Sequence, residues 1–127
     1  MNINQLPEQY SFHDGAIKSF YLDIQNSTAE IEMLVRRIIS RRPSGQIQEN
    51  DLVPCILRLT FEDLLEVSLF NKLPTQGYYI GFCSFKENDQ AVGISINVHD
   101  SSNYVYEKDN WLVKAKSITW KEVEGSG

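Results

Sequence analysis

The segment Ala29–Arg37, Ala-Glu-Ile-Glu-Met-Leu-Val-Arg-Arg, decides the fold class of the chain. Apolar residues recur in it at every second position, which is the period of a β-strand with one buried face. These residues are Ile31, Met33 and Val35. A helix over 29–40 is the alternative, because four apolar residues also fall at helical spacing, and Glu, Met, Leu and Arg favour helices. These four are Ile31, Leu34, Val35 and Ile38. We favour the strand, and a helix here would change the fold class from mainly β to α+β.

The same alternation recurs along most of the chain and is clearest over 91–98, where Val92, Ile94 and Ile96 alternate with small and polar residues. Clusters of turn-forming residues separate the predicted strands. The strand ranges are 16–24, 29–37, 53–61, 65–69, 78–85, 91–98, 103–107 and 111–120. A tight acidic turn at Glu62-Asp63 is expected to join two of them. Parallel neighbours would need helical crossovers, which the pattern does not show. We therefore predict a mainly β fold, an antiparallel meander that forms a sandwich or a strongly curved sheet.

The length and composition fit a single domain over residues 1–127. With 42% hydrophobic and 23% charged residues, a chain of 127 residues can bury a hydrophobic core without disulfides or metals. Within this domain, the segment 1–11 and the tail 122–127 are expected to be loosely ordered. The polar stretch 40–52 is expected to form one long loop.

The two cysteines, Cys55 and Cys83, do not form a C-x-x-C pair, and two are too few for a disulfide scaffold. We expect both to be buried thiols in a reducing compartment. The N-terminus has neither a positively charged start nor an apolar run, and no segment has the ~20 apolar residues of a membrane span. The sequence therefore predicts a cytoplasmic protein that does not bind a membrane.

The formal net charge is -5, which argues against nucleic-acid binding, because that requires a concentrated basic surface. A basic protein is the expected partner. Four of the five arginines nevertheless fall within seven residues. They are Arg36, Arg37, Arg41 and Arg42. Guanidinium groups suit phosphate and carboxylate oxygens, but we favour a solvated strand edge that discourages edge-to-edge pairing.

Both histidines are followed by aspartate, as His13-Asp14 and His99-Asp100. Imidazole and carboxylate are suitable metal ligands and acid–base groups, so a metal-dependent enzyme would need all four side chains to converge. A structural role is favoured, because Asp before Gly or Ser is typical of turns. No local motif for a nucleophile or a phosphate-binding loop is present. We accordingly predict no catalytic residue, no metal and no cofactor.

Aromatic residues are concentrated in the second half of the chain, and Tyr and Trp are the residue types that anchor protein interfaces. The candidates for partner binding are Tyr78, Tyr79, Phe82, Tyr104, Tyr106 and Trp111. Packing in the core and lining of an apolar ligand pocket are the other two uses of such residues.

The sequence Phe12-His13-Asp14-Gly15-Ala16-Ile17, which leads into an alternating strand, and the closing strand 112–120 resemble small bacterial β-rich proteins that include immunity proteins of polymorphic toxin systems. The resemblance implies a cytoplasmic, non-enzymatic protein that binds and neutralises a toxin, and it assigns no site residue. The leading hypothesis is therefore a protein-binding module of the immunity type. A small-ligand-binding β domain and a metal-dependent enzyme are the alternatives.

Overall fold

The computed structural model describes residues 3–69, 78–100 and 110–124, with the backbone alone at 78, 81, 82, 98–100 and 110. Six strands and one short helix make up the described part of the chain. They are α1 (Gln5–Gln9), β1 (Tyr10–Asp23), β2 (Thr28–Ile38), β3 (Leu52–Ser68), β4 (Tyr78–Glu87), β5 (Val92–Asp100) and β6 (Asn110–Val123). A 3-10 turn over Glu49–Asp51 precedes β3.

The strands form one antiparallel sheet in the order β1-β2-β3-β6-β5-β4. The sheet consists of two three-stranded meanders, β1-β2-β3 and β4-β5-β6, which are joined where β3 pairs with β6. It curves until its last strand meets its first, through the pairs Ala16–Tyr79 and Ile17–Tyr78. The prediction of a mainly β fold with a strongly curved antiparallel sheet is confirmed.

The segment over 29–37 is a strand, and the helical alternative is wrong. Ile31 and Met33 are fully buried and face the barrel interior, whereas Leu34 between Met33 and Val35 is 47% exposed. β2 pairs along its whole length with β3 and over most of it with β1. A strand that pairs on both sides buries one face and satisfies its backbone groups, which outweighs a modest intrinsic preference for helix.

The predicted turn at Glu62-Asp63 is a bend within a continuous strand, because residues on both sides of it pair with β6. Asp63 has a positive φ of 56°, and the N–H of Leu64 donates to the carbonyl oxygen of Ser27 at 3.1 Å. The segments 53–61 and 65–69 therefore do not form two hairpin strands. The predicted strand over 103–107 lies outside the described residues.

Residues 3–11, which were expected to be loosely ordered, form α1 and the start of β1. Ile3 and Leu6 are fully buried, so this segment contributes to the core. The N–H of Ile3 donates to Glu87 Oε1 at 3.0 Å, and this bond fixes the segment beside the β4–β5 turn. At the other terminus, β6 extends to Val123, and residues 125–127 lie outside the described part.

The core fills the inside of the curved sheet. Its largest fully buried side chains are Ile3, Leu6, Ile31, Met33, Leu57, Leu59, Phe61, Ile80, Ile94, Ile96 and Val113. Aromatic pairs extend this core, with ring centroids 5.6 Å apart for Phe20–Trp111 and 5.3 Å apart for Phe12–Phe85. Each fully buried side chain of this size contributes about 1.5–3 kcal/mol relative to exposure. Among the described ranges, no helix has the length and apolar character required to cross a membrane.

A bulge in β1 sets the position of this strand against its neighbours. The β1–β2 register changes from Ser11–Arg36 to Ala16–Leu34, so β1 contains three more residues than β2 over this interval. Asp14 within the bulge has a φ of 62°. Gly15 permits a close approach of the β1 and β2 backbones. A Cβ at this position would overlap the carbonyl oxygen of Leu34.

We predict that Gly15→Ala lowers the free energy of unfolding by about 1–3 kcal/mol, because the backbone of β1 or β2 must move to accommodate the methyl group. The matched control is Gly93→Ala on β5, where the added Cβ lies 3.3 Å from Cγ of the flexible Lys114 side chain. Urea denaturation followed by circular dichroism measures both variants. Equal losses of stability in the two variants would contradict a specific close approach at Gly15.

Candidate protein-binding surface

One lateral row of apolar residues crosses five strands on the outer face of the barrel. Each member is the register partner of the next, from β4 through β1, β2 and β3 to β6. The members are Tyr79, Ala16, Leu34, Ile56 and Val123. The chain neighbours Ile80, Met33 and Leu57 are fully buried, so the row faces away from the core. We refer to these five residues as the apolar row.

The apolar row is accessible from solvent. Leu34 is 47% exposed and Tyr79 is 36% exposed, and the other three members are partly exposed. Two adjoining grooves of about 300 and 500 Å³ run along the row and share Leu34 and Pro54 in their walls. An exposed apolar strip of this kind, bordered by polar residues, is typical of a protein interaction site.

Charged residues border the apolar row on one side. There, Glu32, Arg58 and Lys121 form the next lateral row. Arg58 donates to Glu32 Oε2 from Nε at 3.0 Å and from Nη2 at 2.8 Å, and its Nε lies 3.6 Å from Glu30 Oε1. Such partly exposed ion pairs contribute little to stability, so their main effect here is on the electrostatic field at the surface.

On the other side, Arg36 forms a 3.1 Å ion pair with Glu49, whose side chain is 86% exposed. The outer face therefore combines an apolar centre with charged margins. This is the general composition of a protein interface, in which a dehydrated centre is surrounded by a polar rim.

His13 and Asp14 lie in the β1 bulge, at one end of the apolar row, and line the same groove as Leu34 and Tyr79. Their side chains are 67% and 74% exposed, and His13 Nε2 lies 3.5 Å from Asp14 Oδ2. The positive φ of Asp14 fits the predicted role of this pair in a local change of chain direction.

The second His-Asp pair is at the end of β5. The backbone register places His99 opposite Tyr79, which lies opposite Ala16, so the β5 backbone is two strand spacings, or about 10 Å, from β1. The side chains of His99 and Asp100 are not among the described residues, and convergence of all four side chains stays a requirement of the metal-dependent alternative. Within the described residues, no three His, Cys, Asp or Glu side chains are grouped closely enough to hold a metal ion.

Trp111, a predicted partner-binding residue, lies in the core. It is only 5% exposed and packs edge-to-face against Phe20, because it begins the inward-facing series of β6. Tyr79 is the predicted aromatic that lies on the outer face. The structure describes only the backbone of Tyr78 and Phe82. Tyr104 and Tyr106 are not among the described residues.

Sequence reasoning missed four members of the apolar row and the adjoining Pro54. These four are Ala16, Leu34, Ile56 and Val123. The sequence pattern does mark two of these residues as unusual. Leu34 and Ile56 each occupy the outward phase of a strand whose other outward residues are mainly polar, such as Glu32 and Arg58.

The arginine cluster is engaged in interactions within the molecule. Arg36 pairs with Glu49, Arg37 with Glu122, and Arg42 with Asp51, and Arg41 Nη2 donates to the carbonyl oxygen of Glu8 at 2.6 Å. Their partners are spread over α1, the 3-10 turn and β6. The cluster therefore ties the connection over 39–51 to the barrel, and its guanidinium groups do not converge on one point.

Neither cysteine is activated as a nucleophile. Both are free thiols that pack against the core. Burial raises the pKa of Cys83 to about 12 and is also the largest cause of the raised pKa of Cys55. Both thiols are protonated at neutral pH, and the thiolate is the reactive form.

Comparisons of the chain with protein-family models, with curated proteins and with solved structures found no match.

We predict that Phe12→Ala and His13→Ala, which change adjacent residues of β1, differ strongly in stability. Phe12 is 6% exposed and contacts Phe85, so its loss is expected to cost about 3–5 kcal/mol. His13 is largely exposed, so its loss is expected to change the free energy of unfolding by less than about 0.5 kcal/mol. Urea denaturation measures both values, and a His13→Ala variant that fails to fold would show that the imidazole holds the bulge together.

The hydroxyl of Tyr10 donates to Glu122 Oε2 at 3.0 Å, and burial followed by this hydrogen bond raises the pKa of Tyr10 to about 12. The unfolded chain therefore ionises this phenol at lower pH than the folded chain, so the stabilising difference is lost as pH rises from about 10 to 12. Urea denaturation across this range should show a steeper loss of stability in the wild type than in Tyr10→Phe. Parallel curves would show that Tyr10 titrates normally in the folded protein.

Proposed function

We propose that this protein is a non-enzymatic, cytoplasmic protein-binding module that uses the apolar row as the centre of its contact surface. The observation that carries the proposal is the register itself, which aligns five outward apolar residues from five strands. Measured along the curved sheet, four strand spacings give the row a path length of about 19 Å. Most outward positions of a sheet that faces water are polar, so a continuous apolar row indicates contact with another molecule.

The rigid barrel favours tight binding at this surface. The backbone of paired strands has little conformational freedom to lose on association, which reduces the entropic cost of forming a complex. Tyr79 supplies an aromatic ring at one end of the row, and tyrosine is among the residues that contribute most to binding energy in interfaces.

The partner that we propose is a basic protein, and its class is a toxin neutralised by this chain in the manner of an immunity protein. The net charge of -5 favours encounters with a positively charged surface. Asp14 and Glu49 are the most exposed acidic side chains beside the row, at 74% and 86%. The resemblance of the segment 12–17 to small immunity-type proteins agrees with such a partner.

A small-ligand site inside the barrel is less well supported. Ligand pockets need a few polar groups that converge on an apolar cavity. Among the described residues, the buried polar side chains are Asp51 and Asn97. Asp51 belongs to the 3-10 turn, where it caps the backbone N–H of Gln48 and pairs with Arg42, so it serves the fold.

We predict that the double variant Leu34→Thr/Ile56→Thr retains the fold but binds its partner at least about tenfold more weakly, because two apolar contacts at the centre of the interface are lost. Threonine keeps a strong preference for strands. The matched control is Ile24→Thr/Leu65→Thr, which removes two apolar side chains that are 82% and 53% exposed and lie off the row.

The experiment begins with capture of partners from lysate of the source organism at low and moderate salt. The captured protein is then purified and titrated calorimetrically with the wild type and both double variants. Supporting results are a basic partner, weaker association at higher salt, a specific loss in the row variant, and rescue of cells in which that partner alone arrests growth. Equal affinity of the two double variants, or an acidic partner with salt-independent association, would contradict the proposal.

A further inference from the structure

A second groove lies on the outer face of β4, β5 and β6, away from the apolar row. Lys86, Gly93 and Lys114 are lateral neighbours there, with the glycine in the middle. Successive Cα atoms across an antiparallel sheet are about 5 Å apart, so the two lysine backbones are separated by about 10 Å. Gly93 has no side chain, so a groove of about 340 Å³ lies between the lysines, with Cγ of Lys114 on one side of it, 3.3 Å from where a Cβ of Gly93 would be.

Two hydroxyl groups line the same groove. Ser84 and Ser95 face each other in the next lateral row, beside Leu112. The four-carbon stem of lysine is flexible, so both ammonium groups can reach the space above Gly93. The groove therefore offers two ammonium groups and the exposed hydroxyl of Ser84.

The charges around the groove favour an anion. Among the described residues Lys86 forms no ion pair, and Lys114 Nζ lies 3.6 Å from Glu66 Oε1 in a pair in which both side chains are about half exposed. Glu87 is also near, but its Oε1 accepts the N–H of Ile3. Glu66 is thus the acidic group that competes directly for a lysine of the groove, and its solvent-exposed pair is weak.

We propose that this groove binds the phosphate groups of a small molecule. Lys86 and Lys114 would neutralise the phosphate charge, Ser84 would donate to its oxygens, and Gly93 would leave room for the phosphate between the two lysine stems. Phosphate is favoured over carboxylate, because its three or more acceptor oxygens engage donors on both sides of the floor at once. Two linked phosphates carry more negative charge and more acceptor oxygens than one, so they suit two ammonium groups better. This site is independent of the apolar row and of the protein partner.

The test is a titration of the ¹⁵N-labelled full chain with pyrophosphate, followed by the amide signals of Gly93 and Ser95 at constant ionic strength. Inorganic phosphate, ADP and acetate are titrated in parallel. Phosphate and ADP distinguish a free anion from a nucleotide as the ligand, and acetate reports on general anion effects. We expect saturable shifts with pyrophosphate or ADP in the low millimolar range or below and no saturation with acetate.

Substitutions of the charged groups predict opposite changes in affinity. Lys86→Gln and Lys114→Gln are each expected to weaken pyrophosphate binding about tenfold, because each removes one charge-assisted contact. Glu66→Gln is expected to strengthen it about threefold by releasing Lys114. Lys18→Gln, at an exposed lysine of β1, is the control and should leave affinity unchanged.

Three results would contradict the proposed phosphate site. These are the absence of saturable shifts with both pyrophosphate and ADP, equal responses to acetate, or unchanged affinity in Lys86→Gln. All four variants exchange exposed polar side chains, so each is expected to fold. The amide spectra recorded in the titration check this directly.

Discussion

The close contact between the backbones of β1 and β2 at Gly15 is the constraint on which the rest of the structure depends. It is possible only without a Cβ, since the carbonyl oxygen of Leu34 occupies the space where that atom would lie. The bulge over His13–Gly15 adds an odd number of residues to β1, so the strand leaves the bulge with its faces exchanged. Phe12 before the bulge and Ile17 after it therefore both pack toward the core, and Ala16 faces outward beside Leu34.

Closure of the barrel follows from the same geometry. The pairs that join β1 to β4 begin directly after the bulge, at Ala16 and Ile17. On the other side of the bulge, the Phe12 and Phe85 rings join the two strands through the core. One short segment thus closes the sheet and brings Tyr79 into line with residues of β1 and β2. The proposed contact surface is a consequence of how the barrel closes, and its members are separate from the side chains that stabilise the core.

Much of the fold could be predicted from the sequence, because alternation directly reports one buried face. This held for 29–37, where Ile31 and Met33 entered the core as expected. The pattern could not distinguish a turn from a bend at Glu62-Asp63, since both positions are exposed in either case. It also missed the contribution of Ile3 and Leu6, because two apolar residues in a polar segment show no period.

The candidate surface was harder to predict for a physical reason. Each of its members comes from a different strand, and the lateral register that aligns them is a long-range property of four separate strand pairings. Composition pointed instead to aromatic residues, and Trp111 among them belongs to the core. The candidate Tyr79 lies on the outer face, but its neighbours Leu34 and Ile56 become meaningful only once the pairing of β2 with β3 is known.

The most direct test of this account is a methyl NMR measurement of the free protein with a soluble paramagnetic agent, which broadens the signals of solvent-accessible methyl groups. The account predicts strong broadening for Leu34, Ile56 and Val123 and protected signals for Met33 and Leu57, because the register places the first group outside and the second inside. Protected Leu34 together with broadened Met33 would mean that β2 is shifted by one residue, and the apolar row would not exist.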